Sequence, residues 1–388
     1  MLILLLLTLL TKLIPAYYAI LALSALKRPK PNPTAEPKTR FACLIAARNE
    51  ETVISRSVSA LLRQDYPRAL FDVFVIPNNC TDGMEAAAIK AGARILQCRR
   101  PIHNKGEALS EAIDTLLPHS YEAFCIFDAD NEPDGQYLRY MNDAVRAGAK
   151  AAKGRVIGRE PKRSAMSGCY AVYHAIFNHV FDRGRENLGL SAHPVGTGLL
   201  LTRDVLAQLG GWYTETMTED AELAVQLARN GIRVQYVPEA FTLDESPDSF
   251  RLSLRQRHRW CAGIQLCAIR FGPSLLKPSL HSKLAADEYI TLLAPFTQIL
   301  GVFLTPALLL CGNVDILTIL TTAALSFLGT CFLASVVLLL RDGFRWSAVF
   351  LFPVFMLSWR PLQVAALLFP PKTWKAIPHG ERPVRIPE

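Results

Sequence analysis

Apolar residues are spread unevenly along this chain, and their distribution limits the fold more than any other feature. Residues 2–26 and 288–370 are dominated by apolar side chains, whereas residues 41–285 have ordinary globular composition. A single water-soluble core does not absorb two such blocks, so the pattern predicts a soluble middle carried by membrane segments. With 388 residues, 51% of them hydrophobic, and a net charge of +8, the chain is long enough for one large domain beside those blocks.

The first block carries a single charge, Lys12, and includes Pro15; Lys27, Arg28 and Lys30 follow it. A secretory signal would place its positive charges before the apolar core. The order here predicts an uncleaved membrane helix over 1–27 whose C-terminal end is cytoplasmic. A helix lying flat in the interface is the other reading. A Pro-rich linker spans 28–40. The second block divides into spans of about 288–311, 314–340 and 345–369, each long enough to cross ~30 Å of hydrocarbon. Arg341, Arg345 and Lys372 flank the later spans. Pro353 and Trp359-Arg360-Pro361 interrupt the third, which is expected to bend or lie partly in the interface. If it crosses, the tail 371–388 lies across the membrane from the central domain; if it re-enters, the tail stays on the same side. The nine cysteines form no Cys-x-x-Cys and show no zinc spacing. They read as reduced, buried residues of a cytosol-facing protein.

In the middle, short apolar runs alternate with helical stretches, the pattern of a doubly wound, mostly parallel α/β sheet. The strands expected at 41–47, 73–76 and 94–97, and the run Phe124–Phe127, all end in polar residues. The last ends in Asp128-Ala129-Asp130. Paired acids at the carboxyl end of a buried strand suit a divalent cation carrying a diphosphate; a solvated turn is the plain alternative. Lys105, just before a helix start, is placed to meet phosphate or is simply a surface lysine. Thr218 reads as a helix N-cap with Glu219 and Asp220 in the first turn. Asp220 could equally serve as a general base toward an acceptor hydroxyl.

Residues 161–190 place Met166, Tyr170, Tyr173, Phe177, Val180 and Phe181 near helical spacing, a core stripe by default. His174 and His179 lack an acidic partner at ligand spacing and read as surface or satisfied residues. Residues 250–287 open with a basic amphipathic helix suited to an anionic membrane surface. On it Gln256, Arg259 and Trp260 share a face, offering an amide, a guanidinium for phosphate and an indole for a sugar.

Taken in order, Ala47-Arg48-Asn49-Glu50, Asn79-Cys80-Thr81-Asp82, Lys105-Gly106, Asp128-Ala129-Asp130, Thr218-Glu219-Asp220 and Gln256-Arg257-His258-Arg259-Trp260 carry a resemblance. From about Phe41 to Gly263 the chain resembles the membrane-embedded family 2 glycosyltransferases, which include cellulose, hyaluronan, chitin and poly-N-acetylglucosamine synthases.

The resemblance implies a GT-A domain over 41–249, followed by interface helices over 250–287 and membrane helices over 288–370. It implies a UDP-sugar donor and Mg2+ or Mn2+ held by Asp130. Ala47, Glu50, Asn78, Asp82, Lys105, Asp128, Gln256 and Arg259 would then meet the nucleotide-sugar, and Glu219 and Trp260 the acceptor. Asp220 would be the base of an inverting transfer. Asn78 stands where the family often has an aspartate, which weakens that contact or passes it to Asp82.

The leading expectation is a processive synthase making a β-linked polysaccharide from UDP-glucose or UDP-N-acetylglucosamine, with export of the growing glycan. It would sit in the plasma membrane, multi-pass, with a cytoplasmic catalytic domain. Its partners would be the donor, the glycan and the bilayer, with no nucleic acid. One alternative is a non-processive transferase adding one sugar to a membrane lipid; another is an inactive scaffold subunit. An accessory subunit and the oligomeric state stay open.

Overall fold

A computed structural model describes residues 2–311, 315–340 and 345–371 of the chain. Arg341, Lys372 and the expected tail after 371 lie outside the described residues.

The centre is one eight-stranded sheet. Its strands are β1 (Phe41–Ala47), β2 (Phe71–Pro77), β3 (Arg94–Ile95), β4 (Ala123–Phe127), β5 (Glu132–Pro133), β6 (Ala151–Gly158), β7 (Leu199–Thr202) and β8 (Val234–Asp244). They lie in the order β3-β2-β1-β4-β7-β6-β8-β5. The β3-β2-β1-β4 half is parallel throughout; β7 runs antiparallel to both β4 and β6, and β5 antiparallel to β8. β6 and β8 pair in parallel with a register shift after Lys153. Alternation along β1 sends Phe41, Cys43 and Ile45 into one core and Ala42 and Leu44 into the other. Both faces are therefore covered, and β1 and β4 read as unbroken apolar runs.

β8 runs for 11 residues, Val234–Asp244, and ends on an acid. β6 was not foreseen, because Lys153 and Arg155 break its apolar pattern. Lys153 is 2% exposed and pairs with fully buried Asp182, so its charge is matched inside the fold.

The aromatic stripe of 161–190 is helical, but not uniformly so. The helix Ala165–Ile176 passes into a π-helix, Phe177–Asp182, and then the helix Arg183–Leu188. Its inner face packs on Ala348, Val349, Phe352 and Phe355.

By length and composition, Lys283–Leu310, Ile316–Leu340 and Trp346–Leu368 are apolar enough to cross a membrane. The third is two helices, Trp346–Leu357 and Trp359–Leu368, bending at Ser358 as expected. Pro361 has no N–H for the carbonyl of Leu357, which ends the regular ladder there. The N-terminal helix Leu2–Ser24 includes Pro15. Asn187 Nδ2 donates to the carbonyls of Ser24 and Lys27, both at 2.8 Å, tying that helix to Arg183–Leu188. The Pro-rich segment after it is also fixed: Asn142 Oδ1 accepts from the amides of Lys38 and Thr39.

Candidate active site

The carboxyl ends of β1, β2 and β4 face one cleft, and each expected loop lies there. Asp128 and Asp130 leave β4 with half-exposed side chains. Asn104 caps the helix Lys105–Leu116, accepting from the amide of Glu107 at 2.9 Å. This start places Lys105 Nζ 2.6 Å from Asp128 Oδ1 and 3.2 Å from Glu219 Oε1, and Lys105 also donates to the carbonyl of Gly196 at 2.5 Å. Burial alone would lower the lysine pKa, but Asp128, Glu219 and Asp220 outweigh it and keep the ammonium charged. Gly106 permits the approach, since a Cβ there would lie 2.2 Å from Thr214 Oγ1.

Glu219 and Asp220 open the helix Glu219–Arg229, but the expected cap is not made. Thr218 precedes this helix without a side-chain cap hydrogen bond. Its side chain instead packs on Gly263 of the helix Phe250–Phe271, where a Cβ would lie 2.1 Å from Thr218 Cγ2. Asp220 Oδ2 accepts from the amide of Gly196 at 3.0 Å, and Oδ1 from the amide of Ala221 at 2.8 Å. Burial and neighbouring Glu219 push the Asp220 carboxyl up to about 6. A carboxylate so poised can accept a proton near neutral pH. Glu222, one turn on, accepts from the amides of Glu215 and Thr216 and holds the preceding loop.

The β1 and β2 loops clasp each other. Asn49 and Asn79 both adopt left-handed backbone, φ 57° and 51°, a conformation asparagine tolerates well. Asn49 Oδ1 accepts from the amide of Thr81 at 2.8 Å, and Asp82 Oδ2 from the amide of Glu51 at 3.0 Å. Asp82 Oδ1 also accepts from the amide of Met84 at 3.2 Å, so its carboxylate joins the starts of two helices. Asn78 is buried, its amide donating to the carbonyl of buried Ala47 at 2.8 Å. Glu50 is half-buried at the head of the helix Glu51–Leu62.

On the helix Phe250–Phe271, Gln256 Oε1 accepts from the Tyr170 hydroxyl at 2.8 Å. Trp260 meets Tyr170 edge-on and stacks at 6.3 Å with Trp359. Arg259 is half-buried beside them. The reading of this helix as a basic surface needs one correction: Arg257 is fully buried. It donates to the carbonyl of Phe355 at 3.0 Å and the hydroxyl of Ser358 at 2.8 Å, and lies 4.2 Å from the Phe355 ring centroid.

Four residues beyond the expected set complete the cleft wall. Asn131, which follows the paired acids, is fully buried and donates to Asp244 Oδ1 at 2.8 Å and Asp130 Oδ1 at 3.3 Å. The Thr197 hydroxyl donates to Asn131 and accepts from the amide of Asp128. Arg159 donates to the carbonyl of Asp130 at 2.8 Å. Asp244 ends β8, 3.7 Å from His174 Nε2. Burial and the charge of Asp128 push its carboxyl up to about 7. His174 thus has the acidic neighbour its local sequence lacked. Among the described residues, no group of three or more His, Cys, Asp or Glu side chains is arranged to hold a metal ion. The half-exposed Asp130 carboxylate is nonetheless a hard oxygen donor of the kind that suits a cation sharing its other positions with phosphate and water.

Comparison with known proteins bears on the family and the fold. The chain is 26% identical over 280 residues to "Probable glycosyltransferase YdaM" of Bacillus subtilis (strain 168), covering 69% of this chain and 65% of that protein. It is 25% identical over 260 residues to the beta-monoglucosyldiacylglycerol synthase of Nostoc sp. (strain PCC 7120 / SAG 25.82 / UTEX 2576), covering 65% of this chain and 55% of that protein. It thus spans less than two thirds of either relative. The mannosyltransferase PcManGT from Pyrobaculum calidifontis, solved in complex with GDP-Man and Mn2+, superposes with a TM-score of 0.63 at 19% identity. That match covers 94% of this chain and 97% of the other, and it shows the GT-A fold. The model of "Glycosyltransferase like family 2" matches residues 37–263, more than half of the chain, and the protein belongs to that family.

Proposed function

We infer that this protein is a membrane-bound, non-processive transferase that moves one hexose from a nucleoside-diphosphate sugar to the hydroxyl of a membrane lipid of the diacylglycerol type. The observation that carries the lipid reading is the packing of the cleft's acceptor side on apolar helices. Trp260 stacks on Trp359 at the bend of the third apolar span, and Tyr170, bonded to Gln256, packs on Phe355 of the same span. An acceptor reaching Asp220 past Trp260 would come from the hydrocarbon side. The likeness to glucosyldiacylglycerol synthases supports this over the processive synthase expected from sequence.

In this reading Lys105 and Arg259 bind the diphosphate, and Ala47, Glu50 and Asn78 border the nucleoside. Asp82 shapes that loop through its two helix starts. Asp130 would hold Mg2+ or Mn2+; a bound divalent ion neutralises diphosphate charge and eases its departure. Asp220 takes the proton of the lipid hydroxyl while that oxygen attacks the anomeric carbon from the face opposite the leaving diphosphate, inverting the centre. Glu219 keeps Lys105 in place beside Asp128. The apolar helices carry the protein in the plasma membrane with the cleft in the cytoplasm, where nucleotide sugars are made.

The test is purified protein in vesicles containing diacylglycerol, given labelled UDP-glucose, UDP-N-acetylglucosamine or GDP-mannose with manganese, and products resolved by size. One glycolipid from one donor is expected. A ladder of growing glycans would overturn the single-transfer reading in favour of the synthase, and no incorporation from any donor would revive the scaffold.

A further inference from the structure

A buried charge network lies outside the cleft, where three helices meet. Asp287, near the start of the apolar helix Lys283–Leu310, accepts from Arg185 Nε through both carboxylate oxygens, at 3.1 and 3.0 Å. It also accepts from the hydroxyl of Tyr17 on the N-terminal helix. The Arg185 and Asp287 side chains are 4% and 5% exposed, and Arg185 donates further to Thr291 Oγ1 at 3.0 Å. The N-terminal helix is pressed against the same place: a Cβ on Gly184 would lie 2.3 Å from the carbonyl oxygen of Leu21. None of these side chains takes part in the transfer chemistry, and a buried ion pair adds little stability over apolar packing of the same shape. What the pair does supply is a fixed geometry between the helices it joins.

That geometry reaches the proton acceptor through one loop. Asp182, three residues before Arg185, pairs with Lys153, and its Oδ1 accepts from the amide of His193 at 3.1 Å. His193 Nδ1 also stands 3.9 Å from Glu288, the neighbour of Asp287 on the apolar helix. Three residues on, the amide of Gly196 donates to Asp220 Oδ2 at 3.0 Å, and its carbonyl accepts from Lys105 at 2.5 Å. Pro194, between these two anchors, fixes its own φ and leaves the loop few ways to yield. One end of the loop is thus fastened to the apolar helices, and the other to Asp220 and Lys105.

We propose that Asp287 is a positioning residue for the transfer: through Arg185 and Asp182 it holds the loop 193–196, and with it the Gly196 amide against Asp220. The proposal rests on the reading of Asp220 as the base and adds what keeps that carboxylate aimed. An amide donating to a carboxylate favours its charged form, so losing the Gly196 amide leaves Asp220 harder to ionise. Glu219, Lys105 and Asp128 also face Asp220, and a change at Asp287 removes none of them. Lys105 keeps Asp128 and Glu219 as partners when Gly196 shifts. Donor binding should therefore suffer less than proton transfer.

The experiment uses the full chain in diacylglycerol vesicles with manganese and whichever of labelled UDP-glucose, UDP-N-acetylglucosamine and GDP-mannose the wild type accepts. Asp287→Asn, Asp287→Glu and Tyr17→Phe are compared with the wild type by pH profile, by donor KM and by hydrogen–deuterium exchange of the segment 189–198. Asp287→Asn should lower kcat about tenfold, move the acid limb of kcat/KM up by about one pH unit and speed exchange in the segment about tenfold, with donor KM changed less than about twofold. Tyr17→Phe should move each in the same direction by less, and Asp287→Glu should restore most of each. Exchange is read without donor, so it reports on the loop independently of turnover. An acid limb that stays in place, with kcat lowered evenly at all pH values or only the unfolding midpoint lowered, would overturn the positioning role and leave Asp220 as the base. Full activity of Asp220→Asn would instead sink the reading on which the proposal rests. If Asp287→Asn fails to fold, Tyr17→Phe, which removes a single hydroxyl, decides by the same limb and the same exchange.

Discussion

Gly263 and Thr218 touch so closely that no side chain fits between them: a Cβ on Gly263 would lie 2.1 Å from Thr218 Cγ2 and 2.5 Å from its Oγ1. This contact locks the helix bearing Gln256, Arg259 and Trp260 against the helix start bearing Glu219 and Asp220. Donor side and proton acceptor therefore move as one unit. Gly263→Ala should cost about 1–3 kcal/mol through forced displacement, read as a lower unfolding midpoint in detergent. It should lower kcat more than it raises KM for the donor; an unchanged midpoint and unchanged kcat would show that the two helices part freely.

Asp220 should set the acid limb of the pH profile. Its carboxyl is pushed up to about 6 by burial and by Glu219, and a base works only when deprotonated. kcat/KM should therefore fall as pH drops through about 6, and Asp220→Asn should abolish transfer. The stability sign is opposite to that of a salt-bridged acid. A carboxyl whose folded pKa is raised favours the fold at low pH and loses that contribution as pH rises past its folded value. Asp220→Asn should thus raise the unfolding midpoint at pH 8 more than at pH 5. A variant that keeps activity would remove Asp220 from the chemistry.

Chelation should abolish activity, with manganese or magnesium restoring it. Asp130→Ala should weaken donor binding in the presence of metal and leave metal-free donor binding nearly as in the wild type, measured by calorimetry. Full transfer in excess chelator would show that Lys105 and Arg259 suffice for the diphosphate.

Lys153 and Asp182 form a buried pair, 2% and 0% exposed. Lys153→Met alone should cost about 3–5 kcal/mol, because it strands the Asp182 carboxylate. Lys153→Met with Asp182→Leu should recover most of that loss in the same unfolding assay. Equal instability of single and double variants would mean that the pair supplies specific packing rather than charge balance.

Among the described residues, buried Arg257 donates to Ser253, Phe355 and Ser358 and to no carboxylate. Arg257→Ala removes a large side chain and the donors at the bend of the third span. About 3–5 kcal/mol should be lost, with the bend at Ser358 more open to proteolysis.

Much of the site was legible because its chemistry travels in short segments. Lys105-Gly106, Asp128-Ala129-Asp130 and Thr218-Glu219-Asp220 each sit at an element boundary, where an apolar run gives way to polar residues, and the structure brings all three into one cleft. Asp244 and Thr197 were not legible. Each is an ordinary polar residue in its own neighbourhood, and it matters only because β8 or the loop before β7 carries it to Asn131. The same holds for His174, whose acidic neighbour is 70 residues away in sequence. β6 escaped because a buried lysine mimics a surface one until its counter-ion is known.

The sequence by itself determined the two apolar blocks, the alternating α/β middle, the bend of the third span and the ordered motifs of the family. These follow from local periodicity, from proline's missing N–H and from residue chemistry, none of which needs a partner elsewhere. Only the tertiary structure decided that Arg257 lies inside, that Thr218 packs on Gly263 instead of capping its helix, and that Trp260 stacks on Trp359. Each depends on what a distant segment presents at contact distance. Burial, charge compensation and ring packing are properties of the pair and not of either residue alone.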